Sequence, residues 1–244
     1  MIVLAAGVVF AGAVLQSATG FGFALVAAPL LFVILGPQEA VTAGVLLGLE
    51  VNLLTLAGEA RRPRVLRHDA ATLVAWSLPG LVLGALALRE LPDHVLTVAV
   101  AVAVVAALVL RLRARRAPPR ASAAPPGGWR AAVAGATSGA LATSTSLSGP
   151  PLVFFLLARG VSPQQMRDTL ATVFVALSVL GAPVLLATGT FVMPSAIGAL
   201  VVTAAAGQLL GRRAFAWLGG EHYEPAVLGL LAATAIVALA TSGL

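Results

Sequence analysis

Ten apolar runs, at about 2–18, 21–35, 40–57, 70–88, 94–111, 130–145, 150–158, 168–187, 194–210 and 225–242, follow one another with only short polar joints between them. Runs of this length satisfy their backbone in lipid as helices, and a full crossing takes roughly 20 residues. The 244 residues thus hold about eight to ten such segments and leave no room for a sizeable soluble domain. Composition agrees: 59% of residues are hydrophobic and 10% charged, against about 45–50% and about 25% in a soluble domain. The expected fold is an all-α polytopic membrane protein. Residues 1–18 lack a basic n-region, which predicts a retained segment and not a cleaved signal peptide.

All fifteen basic residues are Arg, against nine acids, a net charge of +6. On a soluble protein that balance would suggest nucleic acid. Here the Arg residues sit beside apolar runs, where they set topology, and nucleic acid is excluded as a partner. Placing the Arg-rich loops 59–69, 111–130 and 211–224 in the cytoplasm leaves 89–93, 188–193 and both termini outside. This is the pattern of a multi-pass protein of a bacterial inner membrane. Segment 113–128, dense in Arg, Pro and Gly, reads as a cytoplasmic linker between a first transmembrane repeat, 1–112, and a second, 129–244. Cysteine is absent, which excludes disulfides and thiol chemistry; no cofactor or metal is expected.

With this topology 2–35 begins and ends outside and 130–158 begins and ends inside, so the halves face opposite ways. The residues support two repeats. Gly36-Pro-Gln-Glu-Ala-Val-Thr42 resembles Ser162-Pro-Gln-Gln-Met-Arg-Asp168, at positions 126 apart, and Pro79-Gly80-x-x-x-Gly84 is echoed by Gly207-x-x-x-Gly211. Each half reads as a broken or re-entrant hairpin of two runs followed by three helices. Inverted repeats with interrupted helices recur in secondary transporters, with the binding site near the midplane.

Two segments interrupt the hairpins. In the first, Gln16, Ser17, Thr19, Gly20, Phe21, Gly22 and Phe23 place glycines and small polar groups inside about 35 apolar residues. Broken backbone at membrane depth survives where it lines a cavity or is buried in protein. A helix restarting near Phe21 offers unpaired N–H groups and a positive dipole end to an anion; the alternative is small residues used for close packing. In the second, Thr143-Ser144-Thr145-Ser146-Leu147-Ser148 precedes Gly149, Pro150 and Pro151. Proline suits a first helical turn, so 150–158 reads as a half-helix. The five hydroxyls ahead of it either hydrogen-bond an oxyanion or bond back to carbonyls of a kinked helix.

Glu50 lies about 15 Å deep in its run, counted from Arg61 at about 1.5 Å per residue. An intramembrane acid is a functional hypothesis by default: Glu50, with Asn52 beside it, is either a proton carrier or a structural acid. Arg167, next to Asp168, is either an interfacial anchor or an attractive gate for anions. Gln208 either lines a cavity or bonds a neighbouring helix. No G-x-S-x-G, H-E-x-x-H or Walker pattern occurs, and no enzyme activity is expected.

At both breaks the sequence resembles the TauE/SafE family of membrane permeases, the sulfite exporter and toluene sulfonate uptake family. The resemblance is carried by Gly20-Phe-Gly-Phe-Ala-Leu-Val-Ala-Ala-Pro-Leu-Leu31, Asn52-Leu-Leu-Thr-Leu56, Ser148-Gly-Pro-Pro-Leu-Val-Phe-Phe-Leu-Leu-Ala-Arg159 and Arg167-Asp-Thr-Leu170. It implies a transporter of sulfite, sulfonates or related small anions that uses no ATPase. The chain departs from the family at Thr143-Ser-Thr-Ser-Leu-Ser148, a segment often Gly-rich in relatives. The expectation is a secondary transporter, an exporter of small oxyanions, proton-coupled and alternating access about a midplane site. A passive anion channel and a non-transporting accessory protein are the alternatives. Expected partners are a small anionic substrate, a proton gradient and membrane lipid, with a homo-oligomer left open.

Overall fold

The computed structural model describes residues 1–19, 22–58, 62–116 and 128–218. Among them are nine helices and no strand: α1 (Ile2–Thr19), α2 (Phe23–Leu35), α3 (Pro37–Ala57), α4 (Arg67–Glu90), α5 (Asp93–Arg116), α6 (Gly128–Ser144), α7 (Gly149–Ala158), α8 (Pro163–Thr188) and α9 (Ile197–Leu218). The tenth apolar run lies outside the described residues, as do Gly20 and Phe21. Helices α3, α4 and α8 are each long and apolar enough to cross a membrane.

Several helices reach beyond their apolar runs because polar residues cap them. Helix α3 opens at Pro37 and α8 at Pro163, each proline standing where its missing N–H would have been unpaired. Ser162 and Gln165 form a capping box: the Gln165 N–H donates to Ser162 Oγ at 3.2 Å, and the Ser162 N–H to Gln165 Oε1 at 3.2 Å. The two matched strings thus perform the same task, opening α3 and α8. Helix α5 continues to Arg116, past the linker boundary expected at 113, since Ala, Leu and Arg are good helix formers and the first proline comes at 118.

Packing pairs α4 with α6, α1 with α9 and α3 with α8. Glycine makes the first two close. A Cβ on Gly80 or Gly84 would collide with the backbone of Ala136 or Ala140, and one on Gly207 or Gly211 with that of Phe10 or Val14. Small residues at four-residue spacing let helices approach to backbone contact, the usual basis of association in lipid. Exchanging α1–α4 with α6–α9 maps these principal pairs onto one another, along with α1–α2 onto α6–α7 and α3–α9 onto α8–α4.

At one end of the molecule polar groups pin the loops. Asp69, in the first turn of α4, takes a bidentate bond from Arg159, whose Nε and a terminal nitrogen lie 2.9–3.1 Å from its oxygens. Asp168 Oδ2 accepts the Arg64 N–H at 2.7 Å, and Thr169 Oγ1 the Leu66 N–H at 3.0 Å. The segment before α4 is thereby tied to the first turn of α8.

Candidate functional site: a cavity between two broken hairpins

Helices α2 and α7 have 13 and 10 residues, about 20 and 15 Å at 1.5 Å per residue, well short of the roughly 30 Å hydrocarbon thickness. Each starts at a break. Helix α2 folds back along α1, so that a side chain on Gly12 would meet Phe23 and Ala27. Gly22, at φ 128, supplies the conformation that an L side chain rarely adopts. Gln16 then ties three elements together. Its Nε2 donates to Asn52 Oδ1 of α3 at 2.9 Å, and its Oε1 accepts the Phe23 N–H of α2 at 3.0 Å. Asn52 Nδ2 donates in turn to the Gly48 carbonyl at 2.7 Å.

The second break is a tight helix terminus. The Leu147 N–H donates back to the Leu141 carbonyl at 3.2 Å, and Ser146 sits at φ 60, the left-handed C-terminal turn that glycine usually takes. For a non-glycine residue this conformation costs about 1–2 kcal/mol, in part offset by the Ser146 hydroxyl bonding to the Val41 carbonyl of α3 at 3.3 Å. Most of the expected hydroxyls are already committed. Thr143 donates to Leu81 O at 2.7 Å, Ser144 to Ala140 O at 2.7 Å and Thr145 to Leu141 O at 3.0 Å. Thr143 thus joins α6 to α4, Ser144 and Thr145 bond back to carbonyls of α6 itself, and none of the three lines the cavity. Pro150 and Pro151 also remove two N–H donors from the start of α7, leaving its dipole end poorer in donors than that of α2.

Between the breaks lies a cavity of about 360 Å³. Gln16, Gly22 and Phe23 line it from the first break, and Ser146, Ser148, Gly149 and Pro150 from the second. The first-turn amides of Ala24 and Leu25, positions that lack an intrahelical acceptor, belong to residues on its wall. Helix α3 presents Gly44, Gly48 and Asn52, one turn apart, and α8 presents Phe174, Leu177 and Ser178. Ser178 is 8% exposed and, among the described residues, its hydroxyl has no hydrogen-bond partner. Such a site offers N–H and O–H donors to an anion without any buried cation.

The α3 and α8 wall carries no sequence signal beyond the four-residue spacing of Gly44, Gly48 and Asn52. The Asp69–Arg159 pair was likewise missed, although an acid amid Arg-rich loops marks a partner. Other expected residues lie elsewhere. Glu50 is about 180° around α3 from the cavity stripe, at 3.6 residues per turn, on the face that carries exposed Leu53. Its Oε2 is buried without a partner among the described residues. Arg167 donates to the Ser17 carbonyl in the last turn of α1 at 3.2 Å, a cation on a helix C-terminus. Ser17 Oγ donates to Val14 O at 2.6 Å. Gln208 is fully buried and donates to Thr55 Oγ1 at 2.8 Å, bonding α9 to α3 away from the cavity. Thr19 ends α1; Pro151 follows Pro150 inside α7 and is not on the wall.

Short apolar helices starting at two breaks around a donor-lined cavity suit a helical membrane transport protein. The comparison with protein families names the kind: the chain belongs to the sulfite exporter TauE/SafE family, whose model matches residues 4–238. That family is one of membrane transporters of the sulfite exporter type. No curated protein and no solved structure matches the chain.

Proposed function

We propose that the chain is a secondary transporter that exports a small oxyanion, sulfite or an organosulfonate, by alternating access around the cavity between the two breaks. The observation that carries this reading is the convergence of two half-helix N-termini, α2 from the first half and α7 from the second, on one cavity. Helix N-termini favour negative charge. The two halves read as inverted repeats about a midplane site. The matched openings of α3 and α8, the matched glycine pairs and the exchangeable packing pairs support that assignment. The chain lies in a bacterial inner membrane with 59–69, 111–130 and 211–224 cytoplasmic and both termini outside; the bonds of Arg64 to Asp168 and of Arg159 to Asp69 support placing the first of these loops on the same side as the α7–α8 connection.

Proton coupling falls to Glu50. Because it faces away from the cavity, the coupling acts through movement of α3 and not through contact with substrate. Proteoliposome flux tests the reading. Saturable counterflow of sulfite or short sulfonates above empty liposomes is expected, whereas voltage-driven current without saturation would mean a channel. Flux no faster than in empty liposomes would rule out the substrate class. The Glu50→Gln variant is expected to transport without dependence on a pH gradient; full retention of that dependence would remove Glu50 from the mechanism.

A further inference from the structure

Resting on the reading of the cavity as the anion site, we infer that the hydroxyls of Ser148 and Ser178 hold the anion's charged end at the start of α7. The anion then sits against the second half of the chain and not midway between the two halves.

A serine ahead of a helix normally accepts a bond from the N–H two or three residues on. For Ser148 those positions are Pro150 and Pro151, which have no N–H. The cap bond is chemically impossible, and Ser148 makes none; the residue lines the cavity instead. Ser178 is open for a different reason. A serine or threonine inside a helix can bond back to the carbonyl three or four residues earlier. On α8, Thr172 and Thr188 do so, to Asp168 O at 2.8 Å and Val184 O at 2.9 Å. Ser178, more than nine-tenths buried and on the cavity wall, has neither that bond nor any other among the described residues. A buried hydroxyl without a partner is unfavourable, and a ligand oxygen would satisfy it. Gly48 faces it across the space: a Cβ there would lie 3.8 Å from Ser178 Oγ, so α3 leaves the hydroxyl uncovered.

The two serines stand on adjoining surfaces. Phe174, one turn before Ser178, reaches to 3.7 Å from where a Cβ on Gly149 would stand, and Gly149 follows Ser148. The prolines that leave Ser148 uncapped also take N–H donors from α7. The two hydroxyls supply donors in their place, beside the positive end of the helix. The first half offers no matching pair. At the 126-residue spacing of the matched strings, Ser148 corresponds to Gly22 and Ser178 to Asn52. Gly22 has no side chain, and Asn52 is held by Gln16 on one side and by the Gly48 carbonyl on the other.

The test is thermal stabilisation by sulfite and by methanesulfonate of the purified full-length protein, as wild type, Ser148→Ala, Ser178→Ala and Thr172→Ala. Since neither cavity hydroxyl makes a bond within the protein, Ser148→Ala and Ser178→Ala should unfold at the wild-type temperature when no anion is present. Each should bind both anions about ten- to a hundred-fold more weakly, the loss of one hydrogen bond to a charged group. Thr172→Ala removes a hydroxyl bonded to its own helix and should leave affinity unchanged. Wild-type affinity in either serine variant would overturn the inference and leave the cavity standing as the site. A Ser178→Ala protein that unfolds early or does not fold would show a structural hydroxyl and overturn it too. No shift of the wild-type protein with either anion would overturn the site reading and the inference together.

Discussion

Gln16 holds α1, α2 and α3 together through two hydrogen bonds, to Asn52 and to the Phe23 amide. Its carbonyl oxygen stands where the first N–H of α2 could otherwise have met an anion. The expectation of wholly unpaired amides at that break is thus corrected by one residue's side chain, which composition could not place. Replacing it tests the arrangement. Gln16→Leu leaves Asn52 Oδ1 and the Phe23 amide without partners, each worth about 1–3 kcal/mol when buried, and should lower the unfolding temperature in detergent. Gln16→Glu keeps an acceptor for the Phe23 amide but brings a negative charge to the cavity wall. It should fold and bind anions at least ten-fold more weakly in the same stabilisation assay, and undiminished binding would show that Gln16 does not face the substrate. The hydroxyl cluster teaches the same lesson. Ser and Thr types at 143–148 were legible, but which of them bond back to the helix depends on local φ and ψ, and only Ser148 and Ser146 reach the cavity.

Among the elements, α4 and α6 meet at Gly80 and Gly84, and α1 and α9 at Gly207 and Gly211. The glycine echo was readable as spacing, but its partners, helices from the other half of the chain, were not, because sequence distance says nothing of which helices touch in lipid. Gly84→Leu and Gly211→Leu should each abolish the monodisperse folded species on size exclusion, since backbone contact leaves no room for a side chain. A folded Gly211→Leu protein would refute the α1–α9 packing. The Asp69–Arg159 pair makes a second test of how elements are joined. Arg159 is about a quarter exposed and Asp69 nearly buried, so Arg159→Ala strands a carboxylate. A loss of about 2–4 kcal/mol is expected, toward the low end of what breaking a buried pair costs. A double-mutant cycle with Asp69→Ala should show most of that loss as coupling.

For the whole molecule, membrane residence was legible from apolar content alone, and the family from a few short strings. The interleaving of the halves was not: α1 closes against α9 and α4 against α6, so helices from the two halves of the chain pack together, with the cavity in the seam between them. The proposed orientation rests on the Arg-rich loops. With no native cysteine, single replacements report it directly. Met193→Cys, half exposed, should react with an impermeant thiol reagent added outside, and Ser122→Cys in the linker only after the membrane is opened. The central claim, that the seam cavity is where the transported anion sits, is tested by Ser148→Cys in proteoliposomes. The account predicts modification of that thiol by a small polar reagent and its slowing, in proportion to occupancy, by the transported anion. Modification at an unchanged rate when the anion saturates transport would contradict it.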